Sequence, residues 1–88
     1  MPEPKDISNT AKRVVAKRLK VSEEQITDDT NFARDLGIDS LAGVEILLDL
    51  EEEFGIEVPD IEAERLVKFK QVVDYLQKRL EQEKSKEP

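Results

Sequence analysis

One serine in this sequence stands where chemistry is better done to it than by it. Ser40 lies in Asp35-Leu36-Gly37-Ile38-Asp39-Ser40-Leu41, where a turn passes into a strongly helical, strongly acidic run. A nucleophilic serine needs a general base within hydrogen-bond reach, usually His, with Lys the main alternative. The sequence contains no His, and the nearest basic residue, Arg34, does not deprotonate. Catalysis by Ser40 is therefore disfavoured, while its modification by another protein is not. The plain alternative is a helix cap. Asp and Ser oxygens accept the backbone N–H groups left unpaired at a helix start, a contribution of about 1 kcal/mol. Spacing alone favours the cap, because an Asp-Ser-Leu triplet by itself is a weak motif.

Other chemistries find less support. With no Cys, disulfides and thiolate metal sites are excluded, which suits a reducing compartment. A calcium loop needs alternating Asp or Asn ligands, a central Gly and a final Glu. The window from Asp28 has Ala33 at the Gly position and Asp39 at the last. Weak divalent binding to clustered carboxylates stays open.

Charge is distributed in blocks. The net charge is −7 over 88 residues. Residues 1–20 sum to +4, residues 21–64 to −14 with Arg34 their only cation, and residues 65–88 to +3. Such an acidic middle repels nucleic acid and anionic membranes. It attracts proteins with Lys/Arg patches and speeds their encounter. No stretch is apolar enough for a signal peptide or a membrane span. The expectation is a soluble, cytoplasmic monomer that binds no nucleic acid and does not insert into membranes.

These residues must be positioned by helices. The length suits one domain with a small core. Residues 1–6 hold two Pro and no apolar pattern, and read as a flexible N-terminus. Ile7, Ala11, Val14, Val15 and Leu19 form a helical stripe over about Ile7 to Leu19. Val21 to Asn31 reads as a long loop with one turn at Ser22–Gln25, anchored by Ile26 and Phe32. A second helix starts at Asp39 or Ser40 and stops at Gly55 after Phe54. A short third covers about Asp60 to Leu66. The last covers Phe69 to Leu80, with Phe69, Val72, Val73, Leu76 and Leu80 on one face. Residues 81–88 read as a charged, flexible tail. The fold class is all-α: a four-helix bundle with three longer helices and one short one.

The second helix has two apolar faces. At about 100° per residue, Gly43, Ile46, Leu47, Leu50 and Phe54 fall on one side, the side to bury. Leu41, Val44 and Leu48 fall nearly opposite, interleaved with Glu45 and Glu52. A domain this small does not easily bury both. An exposed apolar strip ringed by carboxylates suits partner docking. The alternative is that the three residues pack under the long loop.

Beyond these physical readings, the sequence resembles the acyl carrier proteins over about residues 7–80. The resemblance rests on Phe32-Ala33-Arg34-Asp35-Leu36-Gly37-Ile38-Asp39-Ser40-Leu41, on Val44-Glu45-Ile46-Leu47, and on Leu50-Glu51-Glu52-Glu53-Phe54-Gly55-Ile56-Glu57-Val58-Pro59-Asp60. Val73-Asp74-Tyr75-Leu76 matches the family's last helix. The resemblance reverses the weighting at Ser40. It implies that the hydroxyl carries 4′-phosphopantetheine, transferred from coenzyme A by a phosphopantetheinyl transferase (holo-synthase), with Asp39 and Leu41 flanking the site. It implies a carrier of acyl thioesters, not an enzyme, that docks acyl-chain-processing enzymes through Leu41, Val44, Glu45, Leu48 and Glu52. It also implies an acyl pocket lined by Phe32, Ile46, Leu47, Leu50, Phe54, Ala63, Leu66, Val72 and Leu76. Those nine residues also read as an ordinary core.

The match has departures. Bacterial members often have an acidic residue where Ala42 stands, and commonly one where Arg34 stands. Gly43 follows Ala42 inside the helix, at a cost of about 1 kcal/mol against Ala, consistent with a close helix contact or a wider pocket. Val67-Lys68-Phe69 replaces the usual Thr and Val before the last helix. These changes leave the attachment motif intact and bear on partner choice. A fatty-acid carrier, and a specialised carrier for polyketide or another lipid, both follow. A different class, an unmodified acidic adaptor for a basic protein, follows if Ser40 is only a cap.

Overall fold

In the computed structural model, the backbone is described for residues 4–85 and the side chains for residues 6–82. Five α-helices follow in order: α1 Pro4–Leu19, α2 Phe32–Leu36, α3 Ser40–Phe54, α4 Asp60–Ala63 and α5 Phe69–Ser85. A 3₁₀ turn, Glu23–Gln25, lies between α1 and α2. The fold is the expected small all-α bundle of acyl-carrier type, with three long helices. It has two short helices rather than one.

The core joins the three long helices. Helix α1 packs against both α3 and α5. Ile7, Ala11, Val15 and Ala16 of α1 meet Ile46 and Leu50 of α3, and Phe69, Val72, Val73 and Leu76 of α5, all buried. Ile26, Ile56 and Val58 close the core from the connecting segments. Each fully buried Val, Leu, Ile or Phe side chain contributes about 1.5–3 kcal/mol. The expected stripe of α1 was right in direction; Ala16 joins it, and Val14 and Leu19 lie at its margin.

Several boundaries differ from expectation. Helix α1 begins at Pro4, not near Ile7, since proline suits a first helical position and Asp6 favours the first turn. Residues 1–3 of the expected flexible N-terminus lie outside the described residues. Helix α1 ends at Lys20, which takes a left-handed φ of 58°, and Val21 N–H closes back on Ala16 O at 3.1 Å. Helix α4 stops at Ala63 instead of Leu66. Helix α5 runs five residues past Leu80, into the segment read as a charged tail. Its residues there are charged or polar, and Glu81 and Gln82 are exposed, so helix propensity carries the helix on past its apolar face. Residues 86–88 lie outside the described residues.

The long loop is ordered by local bonds. Ser22 and Gln25 form a reciprocal capping box around the 3₁₀ turn. Thr30, the buried polar residue of the segment, accepts from Thr27 N–H at 2.8 Å through its Oγ1. Three backbone bonds then stitch this loop to the start of α5: Lys70 N–H to Asp28 O, Phe69 N–H to Thr30 O, and Phe32 N–H to Val67 O, at 2.9–3.1 Å. They fix where α2 begins.

Candidate functional site

The site grows from the turn between α2 and α3. Asn31 caps α2, its Oδ1 accepting from Arg34 N–H at 2.8 Å. Asp35 reciprocates, its Oδ2 accepting from Asn31 N–H at 2.8 Å. That backbone bond, helped by the Arg34 guanidinium, holds the Asp35 carboxyl below its usual pKa. Gly37 then takes a left-handed φ of 64°, a conformation cheap only without a Cβ. Ile38 N–H returns to Phe32 O at 3.1 Å, which turns the chain sharply into α3.

The cap of α3 is Asp39, and Ser40 is the first helical residue. Asp39 Oδ1 accepts from Ala42 N–H at 2.8 Å, and Asp39 O accepts from Gly43 N–H at 2.9 Å. The reading of Ser40 as the capping side chain is thereby corrected: Asp39 fills that role. The Ser40 hydroxyl is exposed and outside the cap. The N–H groups of Ser40 and Leu41 lie outside both bonds, at the positive end of the helix dipole, where a phosphodiester is favoured. An exposed hydroxyl beside free N–H donors fits a phosphate-linked group on Ser40.

Ser40 also stands at the lip of a partly open cavity of about 600 Å³ between α2, α3, α4 and the start of α5. Of the nine residues expected to line a pocket, Phe32, Ile46, Leu47, Leu50, Ala63, Leu66 and Val72 do so. Phe54 and Leu76 do not. Leu76 lies further along α5 and is buried in the core, while Phe54 packs at the far end of α3. The structure adds Ala33, Ile38, Gly43 and Val44 to the wall, with Val67 at its edge. Ile38 was legible as the apolar residue before a cap, a position that packs onto the first turns of the helix. Gly43 makes no close backbone approach; a Cβ there would meet the Ile38 side chain at 3.7 Å. Of the two reasons entertained for this glycine, room in the cavity is the one the geometry supports.

The second apolar strip of α3 is exposed. Leu41 is 70 %, Val44 53 % and Leu48 56 % accessible, so they do not pack under the loop. Ile61 on α4 is equally exposed and was not anticipated. Among the carboxylates, Glu52 is exposed, whereas Glu45 is half-buried and approached by Arg18 of α1 at 3.5 Å. Arg18 grips Asp49 more closely, with Nε and Nη2 at 2.6 and 2.8 Å from its two oxygens. This pairing lowers the Asp49 pKa and raises that of Arg18.

Helix α4 is tethered on its outer side. Tyr75 donates to Glu62 Oε2 at 2.6 Å, and Arg79 donates to Tyr75 Oη at 2.7 Å and to Glu57 O at 2.6 Å. The Arg79 guanidinium lies 5.7 Å from the Tyr75 ring centre. Burial, then the Glu62 carboxylate, push the Tyr75 pKa up. Among the described residues, no three His, Cys, Asp or Glu side chains converge as a metal site. No described helix is long and apolar enough to cross a membrane.

A compact helical bundle that presents a capped-turn serine at the mouth of an apolar cavity defines a class of carrier domain. The family model for the phosphopantetheine attachment site matches residues 9–76, and the chain belongs to that family. Its prosthetic group is covalent 4′-phosphopantetheine. The chain is thus a phosphopantetheine carrier protein.

Proposed function

We propose that this chain is an acyl carrier protein whose 4′-phosphopantetheine is attached at Ser40, and that it delivers acyl intermediates to enzymes of fatty acid biosynthesis. The observation that carries this is the exposed Ser40 hydroxyl, outside the cap and at the lip of an apolar cavity, in a chain of the phosphopantetheine family. When bound, the group supplies the thiol that this Cys-free chain lacks, and the acyl cargo travels as its thioester. The chain's own residues do the rest. Asp39 holds the start of α3 so that the hydroxyl faces outward, and flanks it with Leu41 for recognition by a phosphopantetheinyl transferase. The cavity walls at Phe32, Ile46, Leu47, Leu50, Ala63, Leu66 and Val72 offer an apolar acyl chain shelter from water. Leu41, Val44, Leu48, Glu45 and Glu52 form the face met by partner enzymes with basic patches. The carrier unit spans residues 7–80, acts in the cytoplasm, and does no catalysis itself. A pathway for polyketide or another lipid would use the same site, with Ala42 and Arg34 altering which enzymes dock.

The test is intact mass after incubation with coenzyme A and a broad-specificity phosphopantetheinyl transferase, with Ser40→Ala alongside. One added phosphopantetheine in the parent and none in Ser40→Ala is expected. A folded parent that gains nothing would return Ser40 to an unmodified surface residue and leave an acidic adaptor as the better reading.

A further inference from the structure

The two carboxylates of α3 nearest α1 are not free to meet a partner. Arg18 holds Asp49 through two hydrogen bonds and reaches Glu45 at 3.5 Å. Glu45 belongs to the docking face proposed above, and on a helix Asp49 lies one turn further along the same flank. Among the described residues, Glu52 makes no ion pair. The strip Leu41, Val44 and Leu48 is therefore bordered by one acid already paired, Glu45, and one, Glu52, that shares a groove with Lys17, Arg18 and Lys20 without pairing to them.

We propose that Arg18 is a specificity-determining residue, an internal competitor that occupies Glu45 and Asp49 and so restricts docking to partners whose cations reach Glu52 beside the apolar strip. A partner Lys or Arg approaching Glu45 must displace, or share with, a guanidinium already in place. A bidentate Arg–carboxylate pair has the fixed geometry that makes a surface ion pair count. The like charge of Arg18 also repels an incoming cation along the α1 edge. The repulsion reaches Glu52 as well, which shares a groove with Lys17, Arg18 and Lys20, whereas the need to displace a paired guanidinium weakens only partners that depend on Glu45. This inference rests on the docking face proposed above. It concerns the protein's own charge pairing, so it is testable apart from loading.

The experiment compares the parent, Arg18→Gln, Arg13→Gln, Glu45→Gln and the double variant Arg18→Gln/Glu45→Gln, each checked for helicity by circular dichroism. Arg13 lies on the same helix, is exposed, and removes the same charge without touching Glu45 or Asp49. The first readout is binding of hexalysine at low salt, followed by α3 amide shifts in NMR. The second is the KM of a broad-specificity phosphopantetheinyl transferase for each apo variant. Arg18→Gln should tighten hexalysine binding and lower the KM about threefold, the size expected of an exposed charge pair. Arg13→Gln should change each by less than half as much, and Glu45→Gln in the Arg18→Gln background should cancel most of the gain. Equal effects of Arg18→Gln and Arg13→Gln, or none from Arg18→Gln, would overturn the proposal. If no variant is loaded, the carrier reading fails while the hexalysine result still decides the role of Arg18.

Discussion

The two sides of α3 are built differently. Toward α1 it meets a close-packed core, with Ile46 and Leu50 in one buried cluster with Ile7, Val15 and Leu76 although both also reach the cavity wall, and Arg18 clamped onto Asp49 outside it. Toward α2 and α4 it faces a cavity of about 600 Å³, crossed by no comparable packing. Helix α4 has only four residues, no buried side chain and no side-chain cap at its start. One helix thus belongs to a firm platform on one side and to a yielding wall on the other. Regions with few buried contacts open at lower free energy than the global core. Ser40 sits at the seam, fixed by the platform and facing the part that yields. The proposed carrier role would use both: a held arm, and a shelter that opens to admit and release cargo.

Truncation should separate the two halves most sharply. Phe69 is fully buried in the platform, and Phe69→Ala should cost about 3–5 kcal/mol in chemical denaturation. Leu66 is only partly buried and lines the cavity. Leu66→Ala should cost well under half as much, because it enlarges a space already open. Comparable losses at the two positions would mean that the cavity side is packed as firmly as the core.

The next contrast is local. Tyr75 ties α5 to Glu62 of α4, with Arg79 completing the link to Glu57 O. Tyr75→Phe keeps the ring and removes the hydroxyl. The global loss should be modest, about 1 kcal/mol for a half-exposed hydrogen bond to a charged group. Its signature is regional: amide exchange should quicken at Ala63 and Glu64 and stay unchanged at Val15 and Leu50. Uniform quickening would show that the tether supports the whole bundle instead of α4.

How much of this was readable in the sequence follows the same division. The platform was legible, because α1, α3 and α5 carry sustained helical periods at Ile7, Ala11 and Val15, at Ile46 and Leu50, and at Phe69, Val72 and Leu76. The exposure of Leu41, Val44 and Leu48 was legible too, since one helix cannot bury two opposite faces in so small a domain. Helix α2 was missed because five residues hold too little period to register; its caps, Asn31 and Gly37, were the available signals. Ala33 and Ile38 in the cavity wall depend on how the α2–α3 turn folds back. The Arg18–Asp49 pair joins residues 31 apart in sequence, a separation no local pattern reveals. Most of the cavity lining came from family resemblance, and it erred at Leu76, which is buried in the core, and at Phe54, which packs partly buried at the far end of α3.

Gly43 tests the seam itself, with opposite signs expected for stability and for room. Its φ lies outside the left-handed region, and an added Cβ would meet Ile38 Cγ2 at 3.7 Å, an ordinary contact. Gly43→Ala should therefore fit and stabilise α3 by about 0.5–1 kcal/mol, the usual gain over glycine inside a helix. The new methyl also packs the residue before the cap against the first turns of the helix. Yet it grows from the cavity wall one turn beyond Ser40, so the cavity narrows as the helix firms. The measurement pairs thermal unfolding with the hydrolysis rate of an acyl thioester carried on the loaded protein. A higher melting temperature with faster hydrolysis is expected. A higher melting temperature with unchanged hydrolysis would place the cargo elsewhere, and the cavity would then be a packing defect beside the arm instead of its shelter.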